Sequence, residues 1–551
     1  MKKYALLFLL LTSLTTFAQN VYKITYIRSS NGTTIENQDP ILVFSNEKES
    51  IITTESIMET KATFPYEQSW VTGNQQFQIA NLDAKRIIVT RDTTSIPKQN
   101  FELINEKRKI LGYVCKKAKT IVNSNTIEVW YTNDLNVKGS PTILGQKLGL
   151  VLEVVRNGNF VIAASKVEKT SLFPSFDLNK ENTKPVNTLT YKDLLWKSRF
   201  ITIPVFKDEI INFSDASKSN DSILRFANGT IILRKIKFPE IKKGSQIFVD
   251  LTEQSNGDAY DRTGSVFMIP MNKKKSFLEG LQNGAKTLPF FENGNGKMYQ
   301  GVVATENYSP LVELMRFFTP FGIKQYNYLQ LKDKTWEEQV NYRQDVSELT
   351  SLINNQEVYI GTFIGNYDKG GHKVSVNITI HTEENGVAKS STILPLFNTT
   401  NVMEMAGQEY GTMFNSDKGL TVTFTLEKDL KKARLRYITT GHGGWENGDE
   451  FLPKKNTIFL DSKEAFHITP WREDCGSYRL YNPASGNFAN GLSSSDYSRS
   501  NWCPGMVTNP IYIDLGELKA GTHTIQVKIP QGAPEGGSFS AWNVSGVLIG
   551  E

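Results

Sequence analysis

The chain has 551 residues, 39% of them hydrophobic and 22% charged, with a formal net charge of +5. That length accommodates three domains of ordinary size with proper cores, and the composition excludes a disordered tail. The small positive charge is not gathered into a basic block, which argues against nucleic acid or an acidic membrane surface as a partner.

The opening stretch, "MKKYALLFLLLTSLTTFAQN", starts with Lys2 and Lys3, continues as an apolar run and ends in small residues before Gln19. It reads as a secretory signal peptide over residues 1–18, cleaved after Ala18. It is too short, and too interrupted by Ser and Thr, to span a membrane, and no later apolar run reaches the ~18 residues a span requires. No cysteine follows the cleavage point, so no lipid anchor is expected there. The expected product is exported, periplasmic or secreted, without membrane insertion.

Beyond Gln19 the chain is strand and turn. "VYKITYIRS", "TIEVWYT", "LGLVLEVVRNGNFVIAASKVE", "KVSVNITIHT", "LTVTFTLE", "ARLRYITT", "NTIFLD" and "HTIQVKIP" are β-branched and aromatic, often alternating, with Gly and Asn between them. Helix is confined to short pieces such as "TYKDLLWKS", "KKSFLEGLQ" and "DVSELTSLI". The fold class is all-β. Polar, proline-containing gaps divide it into a β domain over 19–170, a connector over 171–224 with one helix, a block over 225–385 and a block over 386–551.

Of the three cysteines, Cys475 and Cys503 share a loop-rich C-terminal segment and form the natural pair in an exported protein. Closing that loop is worth roughly 3–4 kcal/mol on chain-entropy grounds. Cys115 lies in the strand-like "ILGYVCKKAKTIV" and is expected to be a buried, unreactive thiol. HExxH, CxxC, GxSxG, P-loop and dinucleotide signatures are all missing, so no metal or cofactor is implied. Of the five scattered histidines, glycine-flanked His442 in "TTGHGGWENGDE" stands out.

Three acidic and aromatic clusters remain. They are Asp258/Tyr260/Asp261/Arg262, then Trp445/Glu446/Asp449/Glu450, then Trp471/Arg472/Glu473/Asp474 with Arg499 and Trp502. Carboxylates tuned by burial and neighbours activate water or protonate leaving groups. Tryptophan faces suit sugar rings, and arginines suit their hydroxyls. The clusters together suggest a carbohydrate-processing site, against a bland reading of each as a solvated turn.

Two resemblances bear on this. In the first block, "ILGYVCKKA", "WYT" and "LGQKLGLVLEV" resemble the GLPGLI family of exported β-proteins, which implies an accessory domain. Residues from about 225 to 551 resemble the peptide-N-glycosidase F family. The carrying segments are "GSQIFVDLTEQSNGDAYDRTGSVFMIP", "RFFTPFG", "DVSELTSL", "QEYGTMF", "GDEFLPKKNTIFL" and "SRSNWCPGM", in family order. With its additional N-terminal domain the chain is similar to the larger, type II members. The resemblance implies two adjacent eight-stranded jelly rolls with a cleft at their junction.

It also implies an amidase that cuts between the asparagine side chain and the innermost GlcNAc of an N-glycan, acting as a monomer on glycoproteins without a metal. On this footing Asp261 is the primary catalytic aspartate and Glu450 a second active-site acid. Arg262 reads the core sugar, and Tyr260 stands where the family has tryptophan. Arg499 and Trp502 are cleft residues, and Cys475–Cys503 matches a family disulfide. A further family glutamate aligns near Phe363, and its neighbouring tryptophan on Gly365, so no carboxylate stands there; Trp445 or His442 would fill that gap. The loss of bulk suggests a cleft wider around the innermost sugar. Asp258 reads as a loop residue. The same paired architecture in copper monooxygenases needs paired histidines, which this sequence lacks. A lectin without turnover and a glycosidase cutting within the chitobiose core are the alternatives.

Overall fold

The computed structural model describes residues 20–178, 181–322, 331–382, 392–443, 448–483, 493–534 and 539–551. The signal-peptide stretch to Gln19, and Trp445 with Glu446, lie outside the described residues. The chain divides into a unit ending at Arg199 and a unit over Phe200–Glu551.

The first unit is one large sheet in which almost every neighbour is antiparallel. The exception is Thr183–Pro185, which adds in parallel beside Ile87–Asp92. Its main core gathers Ile24, Tyr26, Val129, Trp130 and Leu150–Leu152, and the Tyr26 hydroxyl donates to the Val151 carbonyl at 2.6 Å. Cys115 is free and buried, and burial pushes its thiol up to about 11. The 171–224 stretch carries its expected helix, Thr188–Lys197, started by the Asn187 side chain on the Thr190 N–H. Tyr191 anchors this helix to Ala80, Leu82 and Ile88. The same stretch also supplies the strand Ile201–Ile211 to the second unit, so its two ends belong to different bodies.

The second unit holds two β-sandwiches of the jelly-roll kind. The first pairs a four-stranded with a six-stranded sheet, and the second pairs two four-stranded sheets. Period-two alternation builds the first core. Along His372–His381 every second residue is buried, and along Gln246–Ser255 the buried face runs Ile247, Val249, Leu251, Glu253. That phase sets His372 and Glu253 on the core side. Strand Thr263–Ile269 is buried on both faces: Val266 and Met268 enter the sandwich core, while Phe267 and Ile269 face a second apolar cluster with Phe277, Leu278 and Phe363.

The sandwiches meet along a polar seam. Arg316, on strand Val312–Phe318, is fully buried and gives Glu313 two hydrogen bonds, at 3.0 and 2.7 Å. Its other donors go to Thr440 Oγ1, Thr400 Oγ1 and the Asn543 carbonyl in the second sandwich. Glu313 also accepts from Ser265 and Ser545. Val547 and Ile549 pack onto the first core beside this network. The short strand Val507–Thr508, from the C-terminal half, pairs with Val312–Phe318 and so extends a sheet of the first sandwich.

Candidate active site

Asp261 sits in the turn immediately before strand Thr263–Ile269. Thr319 holds that turn: its hydroxyl accepts from the Arg262 N–H and donates to the Tyr260 carbonyl, while its own N–H donates to the Arg262 carbonyl. Glu450 comes from the second sandwich, in the loop after strand Leu430–His442. Neighbouring Asp449 moors this loop by accepting from the Trp542 indole at 2.8 Å and the Gly532 N–H at 2.9 Å. Gly441 permits the close approach, since a Cβ there would stand 2.8 Å from both the Asp449 carbonyl and Ser500.

Arg499 joins the two acids. Its Nη1 donates to Asp261 Oδ2 at 2.9 Å and to Glu450 Oε1 in a still closer contact. Nη2 donates to the Ser494 carbonyl, and Nε has no hydrogen-bond partner among the described residues. The guanidinium lies 4.3 Å from the Trp502 ring centre and 5.0 Å from that of Phe451. Backbone bonds with Arg472 and the Cys475–Cys503 disulfide fix its segment. The Arg499 side chain is 1% exposed, Asp261 13% and Glu450 18%, so the acids line the open side of a buried cation.

One cation balances only one carboxylate. Burial and the nearby Glu450 charge push Asp261 up to about 7 against the pull of Arg499. Burial likewise raises Glu450, opposed by Arg499 and by the Gly443 N–H. A pair in this state holds a proton near neutrality, as a group that works by giving and taking one must.

The other sequence-predicted residues take distinct places. Tyr260 is 60% exposed, with its ring 5.0 Å from the Arg262 guanidinium. Trp502 is buried between Phe318 and Arg499, and its indole donates to the Gly441 carbonyl. That leaves it no free ring face for a sugar, and it supports Arg499 instead. His442 lies beside the same two rings and bonds Thr440 through Nε2 at 2.8 Å; burial, with Arg316 and Arg499 nearby, pulls it down to about 3, so it stays neutral. Arg472 and Asp474 pair in a solvated turn. Phe363 is buried in the outer apolar cluster.

Asp258, read as a loop residue, is 2% exposed and accepts from Arg262 at 2.6 and 3.1 Å. Burial would raise it, but His372 and Arg262 hold it well below the usual carboxylate range. The sequence reading also missed Tyr367, whose ring centre is 5.5 Å from the Arg262 guanidinium. Its hydroxyl donates to Glu404, which also accepts from Tyr410. The phase of the Gln246–Ser255 and His372–His381 strands was the available signal for Glu253 and His372; Tyr367 carried none.

Three families match in chain order: "N-glycanase peptide, N-terminal domain" over residues 24–193, "Peptide-N-glycosidase F, N terminal" over 202–380 and "Peptide-N-glycosidase F, C terminal" over 409–549. The first corrects the GLPGLI resemblance of the N-terminal block: the matched family there is the N-glycanase domain, and nothing supports a GLPGLI-like one. The solved structure of PNGF-II in the C2 space group is 58% identical, covers 97% of this chain and 98% of its own, and has a TM-score of 0.87. The same protein in the P21 space group is 58% identical over 96% and 99%, with a TM-score of 0.89. No curated protein matches the chain.

Proposed function

We infer a division of catalytic labour from one premise: the chain belongs to the peptide-N-glycosidase F family, and it is an amidase that hydrolyses the bond between an asparagine side chain and the innermost GlcNAc of an N-glycan. The observation that carries the assignment of residues is the meeting of Asp261 and Glu450, from different sandwiches, on one nitrogen of Arg499. An amide is a weak electrophile with a poor amine leaving group, so water must be activated and the nitrogen protonated.

Glu450 orients the water and takes a proton from it as its oxygen adds to the side-chain carbonyl carbon. Asp261 gives its proton to the glycosylamine nitrogen as the C–N bond breaks. One proton thus passes from water to the leaving group, and the pair again holds one proton when Glu450 returns its own to Asp261. Arg499 offsets the negative charge that gathers between them. Arg262, beside the exposed rings of Tyr260 and Tyr367, binds the adjoining sugar, since its planar fork suits fixed polar geometry. The products are aspartate in the peptide and a glycosylamine that later loses ammonia.

The three central side chains come from one chain, which supports action as a monomer. The leader-like opening and the Cys475–Cys503 disulfide support an exported, oxidising location. Incubation with an N-glycopeptide, followed by mass spectrometry, tests the reaction. Release of the whole glycan with Asn converted to Asp, a gain of about 1 Da from replacing an amide by an acid, is expected. A single GlcNAc left on the peptide would make the protein a glycosidase, and an unchanged bound peptide would make it a lectin.

A further inference from the structure

Behind Arg262 the first sandwich carries a line of ionic groups that the reaction above does not use. Arg262 Nε and Nη2 bond the two oxygens of Asp258. Asp258 Oδ2 lies 3.4 Å from His372 Nε2, and His372 Nδ1 lies 2.7 Å from Glu253 Oε1. Outward from the core the order is carboxylate, imidazole, carboxylate, guanidinium. Burial alone would lower His372, yet its bonds to Asp258 and Glu253 push it up to about 9, so it is charged and donates from both ring nitrogens.

This line stands where strand alternation otherwise places Val374 and Leu251, and His372 and Glu253 are both fully buried. Buried ion pairs are commonly no more stable than apolar residues of the same volume, so stability does not account for it. Anchoring the loop does not account for it either. The Asp258 carbonyl accepts from Ser255, the Asp258 N–H reaches the Gly371 carbonyl, and the Asn256 N–H does the same at 2.8 Å. The one member whose side chain reaches the surface appreciably is Arg262, 20% exposed and flanked by Tyr260 and Tyr367.

We propose that Glu253, His372 and Asp258 are positioning residues for the amidase reaction, a rigid ionic line that fixes the plane of the Arg262 guanidinium against the sugar next to the scissile amide. The proposal rests on the role given to Arg262 above. A guanidinium held along its Nε–Nη2 edge by both Asp258 oxygens and packed beside two rings keeps its remaining donors aimed at one place, so little rotamer freedom is left to lose when the sugar binds.

Kinetics on a defined N-glycopeptide test it. Asp258→Asn is expected to raise KM about tenfold with kcat within about twofold, the signature of a misplaced binding group. Arg262→Ala should raise KM at least as much, and the double variant should be no worse than Arg262→Ala alone. His372→Gln, which keeps one N–H donor for Asp258, should retain more affinity than His372→Ala. KM losses that add in the double variant, or a fall in kcat at unchanged KM, would overturn the proposal. Wild-type KM in Asp258→Asn beside a weakened Arg262→Ala removes the ionic line alone; wild-type KM in Arg262→Ala removes the reading of Arg262 and the line with it. Should Asp258→Asn fail to fold, the two His372 variants decide, and equal KM values in them would sink the idea.

Discussion

Two buried arginines of the second unit are built from the same ingredients and put to opposite ends. Arg316 in the seam has its donors matched by Glu313, two threonines and a carbonyl, and Glu313 in turn is matched by two serines. Arg499 has an Nε without a partner among the described residues and serves two carboxylates from a single nitrogen. The first arrangement is electrically closed and has nothing left to exchange. The second is short of one positive charge, and a proton makes up the difference. Completeness of pairing, rather than burial or residue type, separates the structural cluster from the one proposed to be catalytic.

That contrast breaks most sharply at Asp261. Asp261→Asn removes the shared proton while keeping the shape, and turnover on an N-glycopeptide should fall by about a thousandfold or more. Its melting temperature should stay close to that of the parent, because one carboxylate remains to balance Arg499; an active variant would show that the reaction does not run through Asp261. Arg316→Met should behave in the reverse way. It leaves Glu313 buried without its partner, so denaturant unfolding should reveal a loss of about 3–5 kcal/mol, with turnover per folded molecule little changed. A mild melt with lost turnover would erase the distinction between the two arginines.

The smallest effect, and the sharpening one, is on pH. Asp261 titrates higher in the folded chain, about 7, than an unfolded aspartate near 4. The fold therefore holds this proton more tightly, so its contribution to stability is complete below about pH 4 and is lost as pH rises through about 7. Melting scans between pH 5 and 8 should show a decline of a few degrees that Asp261→Asn flattens, and a parallel fall in turnover above neutrality. A melting temperature independent of pH in the parent would mean that the two acids do not share a proton.

How much of this was visible beforehand depends on whether the signal was local. Strands were legible through alternation and the Cys475–Cys503 bridge through its shared loop-rich segment, whereas Asp261, Glu450 and Arg499 were singled out only through the family resemblance of the segments that hold them. The burial of Trp502 was not legible, because a motif gives identity and not exposure: Phe318, far from it in sequence, and the nearby Arg499 pack against its ring. Asp258 looked like a turn residue because its neighbours "SNGD" are turn formers, while its burial depends on His372, over a hundred positions away. His372 itself was readable by phase, standing in step with Val374, Val376 and Ile378 on a core face. The length of the Asp261-to-Glu450 separation hides nothing but the distance, which only the packing of two sandwiches supplies.

The strand Val507–Thr508 has a consequence for how this catalyst could be divided or evolved. It is a C-terminal segment lodged in a sheet of the first sandwich, a few residues beyond Arg499 and Cys503. A gene cut between the sandwiches would yield a first half with a bare sheet edge and a second half with a homeless strand. The two jelly rolls are therefore interlocked rather than modular: they share a folding fate, and the acid each contributes to the site is inherited together with the other.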